Sequence, residues 1–437
     1  MQFALSRPAA GLLLRPGLGK TAIMLHVFKL LKSKGIVSKM LVVGTRRIIH
    51  DVWPREVEKW ELNLRVSIVH GGSKARALAA DADVYLINYE GLPWLAQKPQ
   101  AAARAKLQML VLDESTKIKS WRAQRTRSLV GMLNGFMRRY ILTGTPAPNS
   151  LMDLFSQVYM LDAGATLGRF ITQYRLRYFH PAGYKGYNWE PNPGAEQHIF
   201  EVLRPLVLRI ETDEIKLPSL TVNDILVELP EGARRFYTQL EKELVVEWKS
   251  GLVVAGLAIT RTMKLRQIAN GTLYSATKEA TAVHDAKLDA LEELLEELGG
   301  DPAIVCYDFN HDLRRILERL GKSTPVLGGG MSDKDANRII EAWNAGRVPV
   351  LLAQTSVISH GLNLQEAGRV MVFFSLDWNL ENYEQAIARL RRQGQRRPVI
   401  LHRIVAARTV DATVAAALER KANLQDALLK ALESSHD

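Results

Sequence analysis

Short, unbroken apolar runs recur through the first part of the chain, each followed by a polar or mixed stretch long enough for a helix. Residues 10–14, 40–43, 84–87, 109–112 and 140–142 are predicted as strands. Strands this short and this apolar suit a parallel sheet covered on both faces, and the spacing leaves room for crossover helices. A second series follows, with strands predicted at 303–307, 350–353, 370–374 and 399–405. Ahead of it, 287–298 reads as an amphipathic helix, with Leu288, Leu291, Leu294, Leu295 and Leu298 on one face. Between the series, from about 150 to 285, the pattern is more helical and irregular and includes an aromatic, basic segment from Phe170 to Trp189. The predicted class is α/β: two parallel-sheet lobes with an insert between them.

Composition narrows this picture without redirecting it. The chain has 437 residues, 47% hydrophobic and 24% charged, enough for two ordinary domains and an insert. Lys plus Arg number 58 against 46 Asp plus Glu, and the net +12 favours an anionic partner weakly. Cys306 is the single cysteine, which excludes a disulfide framework or a multi-cysteine zinc site and suits a reducing cell interior. It lies in an apolar run and is expected to be buried and inert. His180 and His360 have no second ligand at metal spacing, so core or surface roles are expected. The longest apolar run near the start is far short of a membrane span.

Four segments carry chemistry. In LLLRPGLGKT (12–21) an apolar strand feeds a glycine turn and then a helical run. The Gly17-Leu18-Gly19 turn lets backbone N–H groups face phosphate oxygens; Lys20 reaches the β- and γ-phosphates and Thr21 holds Mg²⁺. Leu14 stands where the first glycine of the full pattern belongs. In MLVLDES (109–115) a strand ends in two acids: Asp113 suits a metal, Glu114 an attacking water. Acids at strand ends are common, and these gain meaning from following the phosphate loop in one α/β series. In ILTGTPAPNS (141–150) a strand ends in a Thr-Gly-Thr-Pro turn whose hydroxyls suit a relay from the acids, or else make an ordinary turn. In ENYEQAIARLRRQGQRRP (381–398) Arg389 and Arg392 share a helix face and suit neutralisation of a transferred phosphoryl group; a solvated basic helix is the alternative.

In this order the segments resemble the motifs of superfamily-two helicase-type ATPases of the Swi/Snf-like group, and in detail its compact phage-encoded members. GLGKT resembles motif I, LVVGTRRIIHDVWPREVEKW (41–60) motif Ia and its sequel, and VYLINYEGL (84–92) the next strand motif. VLDEST, LTGTPAPNSLMDLFSQVYML, KLRQIANG (264–271), AIVCYDFNHDLRRI, LLAQTSVISHGLNLQEAGRVMVF and QAIARLRRQGQRRPV resemble the later motifs, so nearly the whole chain is covered. The resemblance implies two RecA-like lobes, 1–160 and 286–437, with 161–285 as insert and linker. It implies ATP and Mg²⁺ held between the lobes and hydrolysed with Gln385 ordering the site. It implies DNA, double-stranded by preference, contacted by Arg46, Asn88, Thr355 and Ser356, and translocation or remodelling. A monomer is the default expectation, with a protein partner supplying specificity. A DNA-binding scaffold of the same fold and an RNA helicase are the alternatives.

The chain departs from the family at Arg15, Pro16, Thr116, Ala388 and Arg391. Only about a dozen residues precede the phosphate-loop strand, without the family's adenine-contacting Gln motif, so a natural start further upstream and weakened adenine selectivity are expected. The aromatics of 170–189 are expected to pack the insert against the first lobe rather than to stack on bases.

Overall fold

A computed structural model of the chain describes residues 1–14, 18–182, 188–209, 217–249, 255–274, 280–359 and 362–433. Gly17, the substituted Arg15 and Pro16, and His360 lie outside the described residues. The chain divides into two compact units, residues 1–213 with 421–437 and residues 214–420. Among the described residues no helix is long and apolar enough to cross a membrane.

The first unit is built on a parallel sheet. Its strands are β1 (Ala9–Leu12), β2 (Met40–Gly44), β3 (Val66–Val69), β4 (Val84–Asn88), β5 (Met109–Asp113) and β6 (Arg138–Leu142). A hairpin, β7 (Phe179–Ala182) and β8 (Asn188–Pro191), precedes the short β9 (Val207–Leu208). The sheet order is β3-β4-β2-β5-β6-β1-β9, all parallel. Alternation explains the unbroken apolar runs. Met40 and Val42, Val84 and Leu86, and Met109 and Val111 enter one core with Phe28 and Trp53. Leu41 and Val43, Tyr85 and Ile87, and Leu110 and Leu112 enter the core on the other face. Both faces are covered, so neither can be polar.

The second unit carries β10 (Leu220–Val227), a small hairpin of β11 (Thr272–Tyr274) and β12 (Ala280–Ala282), then β13 (Ala303–Tyr307), β14 (Val326–Leu327), β15 (Val350–Gln354), β16 (Val370–Phe373) and β17 (Val399–Ala406). The larger sheet runs β10-β17-β16-β13-β15-β14, again all parallel. The predicted α/β class with two parallel sheets is therefore observed, and Cys306 is fully buried within β13, its thiol pushed up by that burial.

The segment 161–285 is shared between the units. Tyr174, Tyr178, Phe179, Ile199 and Leu203 pack in one cluster with Leu13, Leu151 and Phe155 of the first unit. Phe170 stays exposed, and His180 bonds Asn192 at 3.0 Å. At the other end, β10 extends the second sheet at its edge beside β17.

Gly271, which ends the segment KLRQIANG, has φ +91°. A Cβ there would collide with the His284 carbonyl oxygen and lie 2.6 Å from Arg315 Nη1. The Arg315 guanidinium bonds the carbonyls of Gly271 and His284, each at 2.7 Å, so neither neighbour yields freely. Gly271→Ala is expected to remove about 2–3 kcal/mol of stability through the left-handed backbone and the clash. Thermal unfolding of the full chain checks this; an unchanged melting temperature would show that the turn relaxes without strain.

Candidate active site

The functional edge of the first sheet lies at the C-terminal ends of its strands, where α/β sheets bind ligands. After Leu14 the chain turns through Leu18 and Gly19 into the helix Lys20–Ser33. Gly19 caps that helix with φ 67° and ψ 25°, a left-handed conformation that glycine adopts without penalty. Leu18 packs its side chain against the core, which pins the turn. Lys20 Nζ donates to the Leu14 carbonyl at 2.8 Å, and Thr21 stands half-buried in the first turn. The backbone N–H groups of a helix start have no partner within the helix and favour an anion.

Asp113 ends β5 and is buried. Its Oδ2 accepts from the indole N–H of Trp53 at 2.9 Å, and its Oδ1 accepts from the Glu114 N–H at 3.1 Å. Burial raises its carboxyl above the ordinary carboxylate range; the Trp53 bond and the charge of Lys20 oppose that rise. Glu114 has φ 55° and ψ 58°, left-handed for a residue with a Cβ. Strain of that kind, about 1–2 kcal/mol, persists where surroundings enforce it. Here the Lys117 N–H donates to the Glu114 carbonyl at 3.1 Å, and the Tyr89 hydroxyl donates to the Asp113 carbonyl at 2.8 Å and stands 3.3 Å from that of Glu114. A buried carboxylate disfavoured in its charged form, beside a lysine and a helix start, fits a divalent cation carrying phosphates.

The Thr-Gly-Thr-Pro turn follows β6. The Thr145 N–H donates to Thr143 Oγ1 at 3.0 Å, while the buried hydroxyls of Thr145 and of Thr45, just after β2, have no hydrogen-bond partner among the described residues. The link to the acid segment runs through Gln157: Ser115 Oγ donates to its Oε1 at 2.7 Å, and its Nε2 donates to the Pro146 carbonyl at 2.6 Å. On the same edge Arg46 is exposed beyond β2, and Asn88 ends β4 with Nδ2 donating to Glu90 Oε2 at 2.8 Å. His50 and His70 face each other at 3.2 Å, and burial first, then His50 and the nearby cations, lowers His70.

In the second unit the two later motifs are tied together. Arg389 is buried, and its guanidinium bonds the carbonyls of Gln385 at 2.9 Å, Ser359 at 3.0 Å and Leu362 at 3.3 Å. Arg392 is half-buried and bonds Asn363 Oδ1, and burial lowers its guanidinium. Gln385 is buried on the helix Leu380–Ile387. Thr355 is turned inward, its hydroxyl 3.4 Å from the Tyr307 carbonyl, whereas Ser356 is exposed.

Lys20, Thr21, Asp113 and Glu114 thus share one edge with Arg46 and Asn88, and Thr355, Ser356, Gln385, Arg389 and Arg392 share a second set of elements. Trp53, Tyr89 and Gln157 escape a reading of the sequence. For each, only its partner, 60, 24 or 42 residues away, reveals what its polar atom does.

The SNF2-related domain matches residues 6–274 and the helicase conserved C-terminal domain matches residues 286–394. The chain is similar to protein p41 of Acyrthosiphon pisum secondary endosymbiont phage 1, 36% identical over 439 residues that cover 95% of this chain and 93% of that one. It is similar to the uncharacterized ATP-dependent helicase MG018 of Mycoplasma genitalium, 24% identical, covering 93% of this chain and 39% of the other. It is also similar to the human SWI/SNF-related matrix-associated actin-dependent regulator of chromatin subfamily A member 1, 25% identical, covering 95% of this chain and 41% of the other. The chain therefore spans nearly all of the phage protein and about two fifths of the other two.

Proposed function

Because this chain belongs to the SNF2-related domain family, we propose that it is a DNA-stimulated motor that moves along or remodels double-stranded DNA. It is an ATP-hydrolysing enzyme of the helicase/translocase type. The observation that carries the reading is the convergence of Lys20, Asp113 and Glu114 on one sheet edge, with Asp113 buried and Glu114 held left-handed. A scaffold has no need of a strained acid beside a buried one.

In this reading the amides of the Gly17-Leu18-Gly19 turn and Lys20 hold the phosphates of ATP. Thr21 and Asp113 would hold Mg²⁺, which neutralises phosphate charge when bound. Glu114 orients the attacking water and draws its proton. Arg392 neutralises charge on the transferred phosphoryl group, and Arg389, bonded to the carbonyls of Gln385, Ser359 and Leu362, braces the elements beside it while Gln385 orders the site. Arg46, Asn88, Ser356 and the backbone at Thr355 contact DNA phosphates. Such contacts are largely independent of sequence and weaken with salt.

The test is ATP hydrolysis by the full chain with duplex DNA, single-stranded DNA or RNA at low and moderate salt. Stimulation strongest with duplex supports the reading; stimulation by RNA alone would make the chain an RNA helicase; no hydrolysis above background would leave a scaffold. Duplex affinity should fall linearly on a log–log plot against salt, and Arg46→Ala should lower that slope by about one. An unchanged slope would remove Arg46 from the phosphate contacts.

A further inference from the structure

Two buried aromatic side chains reach the acid pair from the two segments that carry Arg46 and Asn88. Arg46 lies two residues beyond β2, and the chain then runs through a π-helical turn, Ile48–Val52, into the helix Trp53–Lys59. Trp53 is fully buried at the start of that helix, and its indole N–H ends 2.9 Å from Asp113 Oδ2. The turn is tightly packed: a Cβ on Gly44 would lie 2.6 Å from Ile48 Cγ2, so the turn has little slack against β2. Tyr89 follows Asn88 in the next residue, is 1% exposed, and places its hydroxyl on the backbone of Asp113 and Glu114. Its turn is equally close, since a Cβ on Gly91 would lie 2.8 Å from Ile87 Cγ1 and 3.0 Å from Asn88 Oδ1. Phenylalanine would fill most of either ring's space. What tryptophan and tyrosine add is one N–H and one O–H, and both end on the same strained dipeptide.

We propose that Trp53 and Tyr89 are positioning residues that make the aim of Glu114 depend on DNA engagement at Arg46 and Asn88, so that the duplex raises the rate of hydrolysis through these hydrogen bonds. The inference rests on the DNA reading above. Its physical content is simple. Glu114 holds a backbone conformation that its own chemistry disfavours, so a small movement of the groups bonded to that dipeptide changes where its carboxylate points. π-Turns such as 48–52 are frequent at functional sites because they shift register locally within a helix. Contact between DNA and Arg46 or Asn88 moves segments that Trp53 and Tyr89 tie to the acid pair.

The experiment compares full-length wild type with Tyr89→Phe and Trp53→Phe. It reads hydrolysis with and without saturating duplex, duplex affinity, and thermal unfolding. In each variant the duplex-bound kcat should fall at least ~10-fold, while KM for ATP and duplex affinity stay within ~3-fold. The DNA-free rate should fall less, so the stimulation ratio shrinks. A ratio equal to wild type, whether rates are intact or fall in parallel, overturns the inference, as does loss of duplex affinity in step with rate. If Trp53→Phe unfolds at lower temperature, Tyr89→Phe, which keeps the ring, decides alone. Absence of duplex stimulation in wild type would defeat the motor reading itself; stimulation in wild type with both variants unaffected would defeat only the coupling.

Discussion

Glu114→Gln should lower kcat for ATP by ~10²–10⁴-fold, the usual contribution of a positioned base. That corresponds to about 3–5 kcal/mol of transition-state stabilisation. The residue is half-buried at the end of β5 and fixed left-handed, with its N–H on Asp113 and its carbonyl met by the Lys117 N–H and the Tyr89 hydroxyl. Glutamine keeps the shape and every one of these backbone bonds. It removes the negative charge and the capacity to accept the proton of water. ATP affinity should therefore stay within ~3-fold, since ground-state binding is untouched. Phosphate release at steady state and nucleotide binding measured in parallel check this. A variant that keeps wild-type turnover would show that Glu114 takes no part in proton transfer.

Lys287→Ala should remove about 3–5 kcal/mol of stability, the effect of leaving a buried charge without its partner. Lys287 has no exposed side-chain surface, and its ammonium meets Asp411, the Asn270 side-chain oxygen at 2.8 Å and the Phe374 carbonyl at 3.1 Å. An ammonium has three N–H donors, and each has an acceptor. The network continues, because Asn270 Nδ2 donates to Asp312 at 3.0 Å and Ser375 Oγ donates to the same carboxylate oxygen at 2.5 Å. It joins the KLRQIANG helix, the helix Ala286–Glu297, the end of β16 and the helix Asn310–Leu320. Truncation strands the Asp411 carboxylate, whose Oδ2 also accepts from the Ala406 N–H at 3.2 Å. Lys287→Met with Asp411→Asn should recover a good part of the loss, because no charge is then left buried. Denaturant unfolding of the full chain checks both. Equal loss in the single and double variants would show that packing, not charge, dominates.

These residues show what the sequence makes legible. Interior strands such as β2, β4 and β5 are apolar on both faces, so their runs stand out. Edge strands do not: β10 is largely exposed and reads as mixed sequence, and β3 is only half-buried up to Val69. The phosphate turn and the acid pair are legible because their chemistry is local, a glycine turn before Lys20 and two acids at a strand end. Lys287 is not. At the start of an amphipathic helix it reads as a solvated cation, and only Asp411, 124 residues on, makes its burial tolerable. Arg389 is intermediate: its helix face is readable, but its bonds to the carbonyls of Ser359 and Leu362, 30 and 27 residues away, are not. Local chemistry is written in order along the chain, whereas the groups that aim it arrive from other elements.

ATP-driven movement on duplex DNA is tested most directly by the release of a triplex-forming third strand from a duplex after ATP is added. Movement along the duplex should give release that requires ATP, slows as salt rises, and is lost in Glu114→Gln. Hydrolysis stimulated by the duplex with the third strand left in place, released no faster than without protein, would contradict it.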